Sequence, residues 1–170
     1  GPGHHSFTTS PDGTDLYMVY HTHTFPGIGG GNRQVNIDRV IFTKEGEMYV
    51  NGPTLSSQPM PSTDKLHNVA LEATITNKDT EIPLLNDGIF TVHKKDSNFD
   101  WTTELNEDGN VILNVSLPKK KGISSILVYR GVNRENDFEK ADFLIDNHYK
   151  IEGATLSKDK EQRAVIVNFK

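Results

Sequence analysis

Short runs of alternating apolar and polar residues, separated by turn signals, constrain the fold of this chain most. Such runs recur along the whole sequence, and no stretch carries the apolar stripe of an amphipathic helix. Successive side chains of a β-strand point to opposite faces, so alternation of this kind is typical of half-buried strands. The pattern predicts an all-β protein.

The first fifty residues predict four consecutive antiparallel strands. A short strand over residues 5–9 ends at the turn Pro11-Asp12-Gly13, and the later strands are predicted at Leu16–Tyr20, Val35–Phe42 and Met48–Val50. Four strands of this length are the content of one β-propeller blade. One blade cannot bury both of its faces alone, so the pattern implies neighbouring blades that this sequence does not contain.

The sequence predicts a boundary after the fourth strand. Residues 1–52 form the predicted blade, and residues 53–66 are a linker rich in Pro, Ser and Thr that we expect to lie along a surface. Residues 67–170 predict an antiparallel β-sandwich. Its strands are expected at Val69–Thr76, Val111–Leu117, Ile123–Tyr129, Phe143–Ile145 and Ala164–Phe169.

Composition excludes several classes of function. The chain has 170 residues, a net charge of −5 with acids and bases interspersed, and no cysteine. Disulfides and thiolate metal sites are therefore excluded, and no basic groove for nucleic acid is predicted. No apolar run approaches the ~18 residues of a transmembrane helix, so no membrane partner is expected.

Five short motifs in the first part occur in a fixed order. They are Gly1–Ser6 (Gly-Pro-Gly-His-His-Ser), Ser10–Gly13 (Ser-Pro-Asp-Gly), Tyr20–His23 (Tyr-His-Thr-His), Arg33–Arg39 (Arg-Gln-Val-Asn-Ile-Asp-Arg) and Asn51–Thr54 (Asn-Gly-Pro-Thr). In this order they closely resemble the last blade of glycoside hydrolase family 43, whose members are five-bladed β-propellers that cut arabinose and xylose linkages. The one departure is His5, where that family more often has Asn.

The second part more loosely resembles the galactose-binding-like, jelly-roll β-sandwiches that follow such propellers. The residues that carry this likeness are Asn68–Thr74, Leu85–Gly88 and Trp101. Trp101, with Phe90 and Phe99, could stack on a sugar ring, although isolated aromatic residues in a β-sandwich more often belong to the core. Asp87 could offer oxygen to a calcium ion, but Asn86-Asp87-Gly88 is more simply a turn.

The resemblance to family 43 implies a role for His4. The corresponding histidine lies near the propeller axis and helps to hold a calcium or other ion. Calcium prefers oxygen ligands, so such a site would be rich in water, with His4 supplying one position. Two other interpretations of His4 stay open: a hydrogen-bonded core histidine without metal, or, with His5, the remnant of a tag.

Arg33, His21 and His23 are the predicted substrate-binding residues. By resemblance Arg33 lines the active site, and its planar guanidinium suits sugar hydroxyls or a carboxylate; the alternative is a salt bridge that closes the blade. His21 and His23 lie two apart on a strand and share a face. They could line the pocket, pack, or form a metal pair, although no third ligand with a recognisable spacing accompanies them.

No catalytic residue is predicted in this chain. An inverting glycosidase needs a base and an acid on opposite sides of the sugar, and in family 43 these come from earlier blades. Asp38 matches none of those carboxylates and is predicted to be a structural hydrogen-bonding partner, as Arg39 is predicted to be structural.

The resemblance implies a parent enzyme that inverts the anomeric carbon while it hydrolyses arabinofuranosyl or xylosyl linkages in plant polysaccharide. It also implies a secreted or periplasmic location, although no signal peptide is visible. We expect the 170 residues alone to be inactive. The competing hypotheses for the second part are a carbohydrate-binding module and a structural brace for the propeller.

Overall fold

The computed structural model of the protein describes residues 2–25, 27–28, 30–43, 45–54, 58–89, 98–132, 138, 141–145, 149–151 and 164–168. Within these residues every strand pairing is antiparallel. The only helix among the described residues is 3₁₀: the segments Val69–Glu72 and Pro83–Leu85, and residues 98–99. The prediction of an all-β protein is confirmed. No helix in the described part of the chain has the length and apolar character of a membrane span.

The chain divides into two compact units. The first comprises Gly1–Thr54 and Met60–Val69, and the second comprises Leu55–Pro59 and Ala70–Lys170. The segment predicted as a linker is therefore divided between the units. We call Met60–Val69 the strap.

The first unit contains a four-stranded sheet in which neighbours in sequence are neighbours in space. Its strands are β1 (Gly3–Thr9), β2 (Leu16–His23), β3 (Arg33–Phe42) and β4 (Met48–Val50), in the order β1-β2-β3-β4. The four predicted strands and their order are confirmed, and β1, β2 and β3 are longer than predicted.

Turn chemistry explains the tight connections of this sheet. Between β1 and β2 the Gly13 N–H donates to the Ser10 carbonyl at 2.9 Å, and Gly13 has φ +77°. Between β3 and β4 the Gly46 N–H donates to the Thr43 carbonyl at 2.9 Å, with φ +85° at Gly46. Glycine tolerates these left-handed angles without a steric cost, so both turns form where the sequence places glycine.

The sheet buries only a few of its apolar side chains within the first unit. Tyr17 and Val40 are buried. On one face Val35 is 78% exposed and Ile37 50%, and on the opposite face Phe42 is 58% exposed. Large apolar side chains are therefore exposed on both faces of this sheet.

The second unit contains three small sheets among its described residues. One has the order β6-β5-β7, and the others pair β9 with β10 and β8 with β11. The strands are β5 (Thr74–Asn77), β6 (Thr80–Glu81), β7 (Asn114–Ser116), β8 (Ser125–Tyr129), β9 (Phe143–Ile145), β10 (Tyr149–Ile151) and β11 (Ala164–Asn168).

The predicted strand over residues 69–76 is wrong in its first half, where the chain forms the 3₁₀ helix Val69–Glu72. The amide of Asn86 explains the difference, because its Nδ2 donates to the carbonyl of Ala70 at 2.8 Å and to that of Ala73 at 2.6 Å. These bonds satisfy carbonyls that a strand would have paired with a neighbour. The predicted strands at 111–117 and 123–129 shorten to β7 and β8, and the strands at 143–145 and 164–168 are confirmed.

Candidate functional site

Three predicted site residues lie together at one end of the first unit's sheet. His23 on β2 is the direct register partner of Arg33 on β3, and His21 faces the same side two residues earlier. Directly opposed residues in an antiparallel pair have Cβ atoms about 4.5–5.5 Å apart. The pairing of β2 with β3 therefore gathers Arg33, His21 and His23 on one face.

His4 joins this group through an irregularity in β1. The register of β1 against β2 shifts between Gly3 and Ser6, and His4 has φ +46°, a left-handed angle that is uncommon outside glycine. The imidazole ring of His4 stacks on that of His21, with 5.5 Å between centroids and 25° between planes. We call His4, His21, His23 and Arg33 the basic cluster.

Arg33 is exposed and extends over the glycine-rich loop that precedes β3. A Cβ placed at Gly30 would lie 3.2 Å from the Arg33 Nη2 atom, so the guanidinium closely approaches a loop residue that has no side chain. The glycine at position 30 thus leaves room for the guanidinium beside the loop.

The two amide residues of the Arg-Gln-Val-Asn motif, Gln34 and Asn36, bond across the opposite face. The Asn36 Nδ2 donates to the Thr22 Oγ1 at 2.8 Å, and the Gln34 Nε2 donates to the same oxygen at 3.3 Å. These neutral amides link β2 to β3 without occupying the basic face. The motif therefore fastens the two strands with one face and presents Arg33 on the other.

The electrostatic environment of the basic cluster is positive. Partial desolvation lowers the pKa of His21, and the nearby positive charges of Arg33, His4 and His23 lower it further. The sequence has no acidic residue between Asp15 and Asp38 and none before Asp12. Arg33 supplies the permanent charge, and each imidazole can offer an N–H donor.

A calcium ion at His4 would find few of its ligands in this cluster. The described residues contain no group of three or more His, Cys, Asp or Glu side chains that could hold a metal ion. The groups around His4 are imidazoles and a guanidinium, whereas calcium takes oxygen ligands. The remaining ligands of such an ion would be water or groups outside the described residues.

Asp38 is buried on the face opposite the basic cluster, with 2% of its surface exposed. Its carboxylate accepts hydrogen bonds from the hydroxyls of Tyr20 and Thr54. A Cβ at Gly52 would collide with this carboxylate, so the strand exit needs glycine there. Desolvation, followed by the bond to Asp38, raises the pKa of Tyr20 well above its usual range. The prediction that Asp38 is a structural hydrogen-bonding partner is confirmed.

A shallow pocket opens on the same face as Asp38. His5, Met18, Tyr20 and Pro53 are among the residues that line it, and most of its wall is apolar. Neither Arg33 nor the rest of the basic cluster contributes to it. The pocket is therefore separate from the predicted substrate-binding residues.

The opposite end of the sheet carries a polar network that the sequence did not reveal. In the turn Ser10–Asp15, which we call the acidic turn, the Asp12 Oδ1 accepts from the hydroxyl of Ser10 at 2.7 Å. The Asp12 Oδ2 accepts from the hydroxyl of Ser62 in the strap at 2.6 Å. The bond from Ser62 is the largest reason why the pKa of Asp12 lies well below its usual range.

Ser62, His67 and Asp12 resemble the residue set of a hydrolase triad, but their geometry is different. In a triad the histidine lies between serine and aspartate and uses a different ring nitrogen for each. Here the Nδ1 of His67 lies 2.9 Å from Ser62 Oγ and 3.3 Å from Asp12 Oδ2. The single Ser62 hydroxyl hydrogen goes to Asp12, so it is not directed at the imidazole of His67. Ser62 is therefore not activated, and the group fastens the strap.

Arg39 and Asp15 complete this network. The Arg39 Nη2 lies 3.0 Å from the Asp15 Oδ2, and both side chains are 11% exposed. The same carboxylate oxygen accepts the backbone N–H of Ser62 at 3.1 Å. The prediction that Arg39 is structural is confirmed. Since Ser62 lies about fifty residues from Asp12 in sequence, no local pattern indicated the contact.

In the second unit, Trp101 and Phe99 are half-buried. Phe90 and Phe169 of this unit, and Gly1 of the first motif, lie outside the described residues. The Asp87 Oδ1 accepts the N–H of Ile89 at 2.8 Å, and burial raises the pKa of Asp87. Gly88 has φ +83°, as expected in a turn. The Asp87 carboxylate therefore has a hydrogen-bond partner within the turn itself.

No protein family, no curated protein and no solved structure matches this chain.

Proposed function

We propose that the first unit is the closing blade of a five-bladed β-propeller of the glycoside hydrolase family 43 type, and that the second is a galactose-binding-like β-sandwich. The whole protein would be a secreted or periplasmic inverting glycosidase that acts on arabinofuranosyl or xylosyl linkages in plant polysaccharide. On this proposal Arg33, His21 and His23 contact the substrate, and His4 supplies one ligand position of a calcium ion at the propeller axis.

One observation carries the proposal. The motif residues His4, His21, His23 and Arg33 come from three strands, yet they lie on one end of a single four-stranded antiparallel sheet. In a propeller, that end of a blade would contribute to the central site, because every blade presents one end of its strands there. Residues that serve only to close the sheet would not need to gather at one end.

The unburied faces of the sheet also support a blade with neighbours. Val35 and Ile37 on one face and Phe42 on the other are at least half exposed. Flanking blades would cover both faces and remove this apolar surface from water.

Three acids of the first unit, Asp12, Asp15 and Asp38, are engaged in bonds within the fold. Asp38 is buried and holds two hydroxyls, while Asp12 and Asp15 are engaged at the far end of the sheet. An inverting mechanism needs two carboxyl groups roughly 6.5–9.5 Å apart across the sugar. We therefore propose that the base and the acid come from blades that precede this one.

The experiment compares this chain with a longer protein that includes the residues encoded upstream. We expect the longer protein to hydrolyse nitrophenyl arabinofuranoside or xyloside with inversion, as followed by proton NMR of the first product, and the 170-residue chain to be inactive. Arg33→Gln in the longer protein should lower kcat/KM about 10- to 100-fold, because it removes charge-assisted hydrogen bonds. Hydrolysis by the 170-residue chain alone, or an upstream sequence without blade-like repeats, would contradict the proposal.

For the second unit a carbohydrate-binding role remains a second candidate, since the ring of Trp101 is not wholly buried. Binding through this ring predicts retention on arabinan or xylan that Trp101→Ala abolishes. A structural brace predicts no retention for either form. The control is Phe99→Ala, a change to another half-buried aromatic residue.

A further inference from the structure

The two arginines of β3 differ in what they contact. Arg39 reaches Asp15 at 3.0 Å and contributes to a network. Arg33 lies on the same face, six residues earlier, and its guanidinium stands over the loop beside Gly30. None of the carboxylates described in the first unit is bonded to Arg33, and the sequence from residue 16 to residue 37 holds no acid at all.

We propose that the basic cluster binds a carboxylate, and that its ligand is a sugar bearing this group, a uronic acid residue of the polysaccharide. The assignment of a sugar rests on the proposed function, and the assignment of a carboxylate rests on the charges of the cluster. A uronic acid ligand would narrow the substrate class from neutral pentose linkages to polysaccharides that carry acidic substituents.

The geometry of the cluster fits a planar anion. A guanidinium offers two parallel N–H donors that match the two oxygens of a carboxylate. His23, directly opposite Arg33 across the β2–β3 pair, can donate a third hydrogen bond from the same face. His21, fixed by its stack on His4, adjoins them.

The charge distribution of the sheet favours an anion at this end. The acids of the acidic turn lie at the other end of β2, whose eight residues span roughly 23 Å. Asp38 lies nearer but is buried on the opposite face and bonded to Tyr20 and Thr54. A ligand carboxylate at Arg33 would meet no repulsion from an acid among the described residues of this face.

The test is an NMR titration of the 15N-labelled chain with methyl glucuronoside and with methyl xyloside. The two sugars share one ring, and only the first has a carboxylate at carbon 5. We expect the glucuronoside to shift the signals of Arg33, His21 and His23 and to bind at least about tenfold more tightly than the xyloside, as for a charge-assisted pair. Acetate is a third ligand, which has the carboxylate without the sugar.

Two variants control for charge and for shape. Arg33→Gln should weaken glucuronoside binding about tenfold or more, and Lys65→Gln, which removes an exposed positive charge from the strap, should change it less than about twofold. Arg33→Lys keeps the charge but loses the planar donor pair, so its binding should be intermediate. Dispersed amide signals of β2 and β3 confirm that each variant is folded.

The outcomes separate this inference from the proposed function. Equal binding of xyloside and glucuronoside, or unchanged binding in Arg33→Gln, would overturn the carboxylate site and leave a neutral-sugar glycosidase intact. Equal binding of acetate and glucuronoside would support the carboxylate site but overturn its assignment to a sugar, and would count against the proposed function. Absence of any glucuronoside-induced shift would overturn the inference.

Discussion

The charged side chains at the two ends of the first unit's sheet differ in what they contact. At the acidic turn, Asp12 and Asp15 are bonded to the strap, and Asp15 also pairs with Arg39. At the basic cluster, Arg33 stands exposed over the glycine-rich loop, and the nearby histidines stack or share its face. Charges held in internal networks stabilise the fold, whereas a charge left accessible can bind a ligand. If the proposed function holds, the groups that stabilise the sheet and the groups that bind a ligand occupy opposite ends of the same strands.

Asp38, which lies between the two ends, should give the largest effect on stability. Asp38→Ala leaves the hydroxyls of Tyr20 and Thr54 without their buried acceptor, so the free energy of unfolding of the first unit should fall by about 3–5 kcal/mol. Hydrogen exchange of the β2 and β3 amides measures this unit directly.

The control for Asp38→Ala is Asp38→Asn, which keeps the shape and can still bond both hydroxyls. It should cost about 1–2 kcal/mol, because the charge is lost and one accepting oxygen becomes an NH2 group, which can bond a hydroxyl only as a donor. A loss below about 1 kcal/mol for the alanine variant would show that the Asp38 bonds are not a structural centre of the sheet.

The two arginines of β3 test the comparison most directly. Arg39→Met breaks the pair with Asp15, where both side chains are 11% exposed, and should lower the free energy of unfolding by about 2–4 kcal/mol. Arg33→Met makes the same chemical change at an exposed position and should cost less than about 0.5 kcal/mol. Urea unfolding followed by hydrogen exchange distinguishes them. Equal costs would show that Arg33 is as structural as Arg39.

The difference between the two ends was only partly predictable from the sequence. The four-stranded meander followed from alternation and from the turn at Gly13, which are local signals. The gathering of His21, His23 and Arg33 on one face followed once the strands were paired in order. His4 reaches the basic cluster only because the register of β1 shifts between Gly3 and Ser6, and no sequence pattern predicts that shift.

Long-range side-chain contacts account for what the sequence missed. The bond from Ser62 to Asp12 joins residues fifty positions apart, and neither neighbourhood indicates its partner. Asn86 likewise favours a 3₁₀ helix over the predicted strand by reaching carbonyls 13 and 16 residues away. Local propensity cannot encode such contacts. A tertiary hydrogen bond overrides the local preference of a segment when it gives the backbone groups of that segment new partners.

The smallest expected effect concerns the acidic turn and appears only at low pH. The bond from Ser62, with those from Ser10 and Thr14, keeps the pKa of Asp12 below its usual range in the folded chain. A carboxylate with a lowered folded-state pKa contributes stability above its unfolded pKa of about 3.9 and loses that contribution as the pH falls below it. Closure of the strap should therefore weaken as the pH falls below about 4.

Asp12→Asn removes the titrating group, so the strap of this variant should open to a similar extent at pH 7 and at pH 3. Hydrogen exchange of the Ser62 and Leu66 amides, which are bonded to Asp15 and to Thr63, reports this opening. Thr8→Val, a change on an exposed residue of β1, should keep the pH dependence of the unmodified chain. If Asp12→Asn retained the same acid dependence, another carboxylate would control the strap. Asp15, which accepts the Ser62 N–H, would then be the group to test, and the stabilising network would centre on Arg39 and not on Asp12.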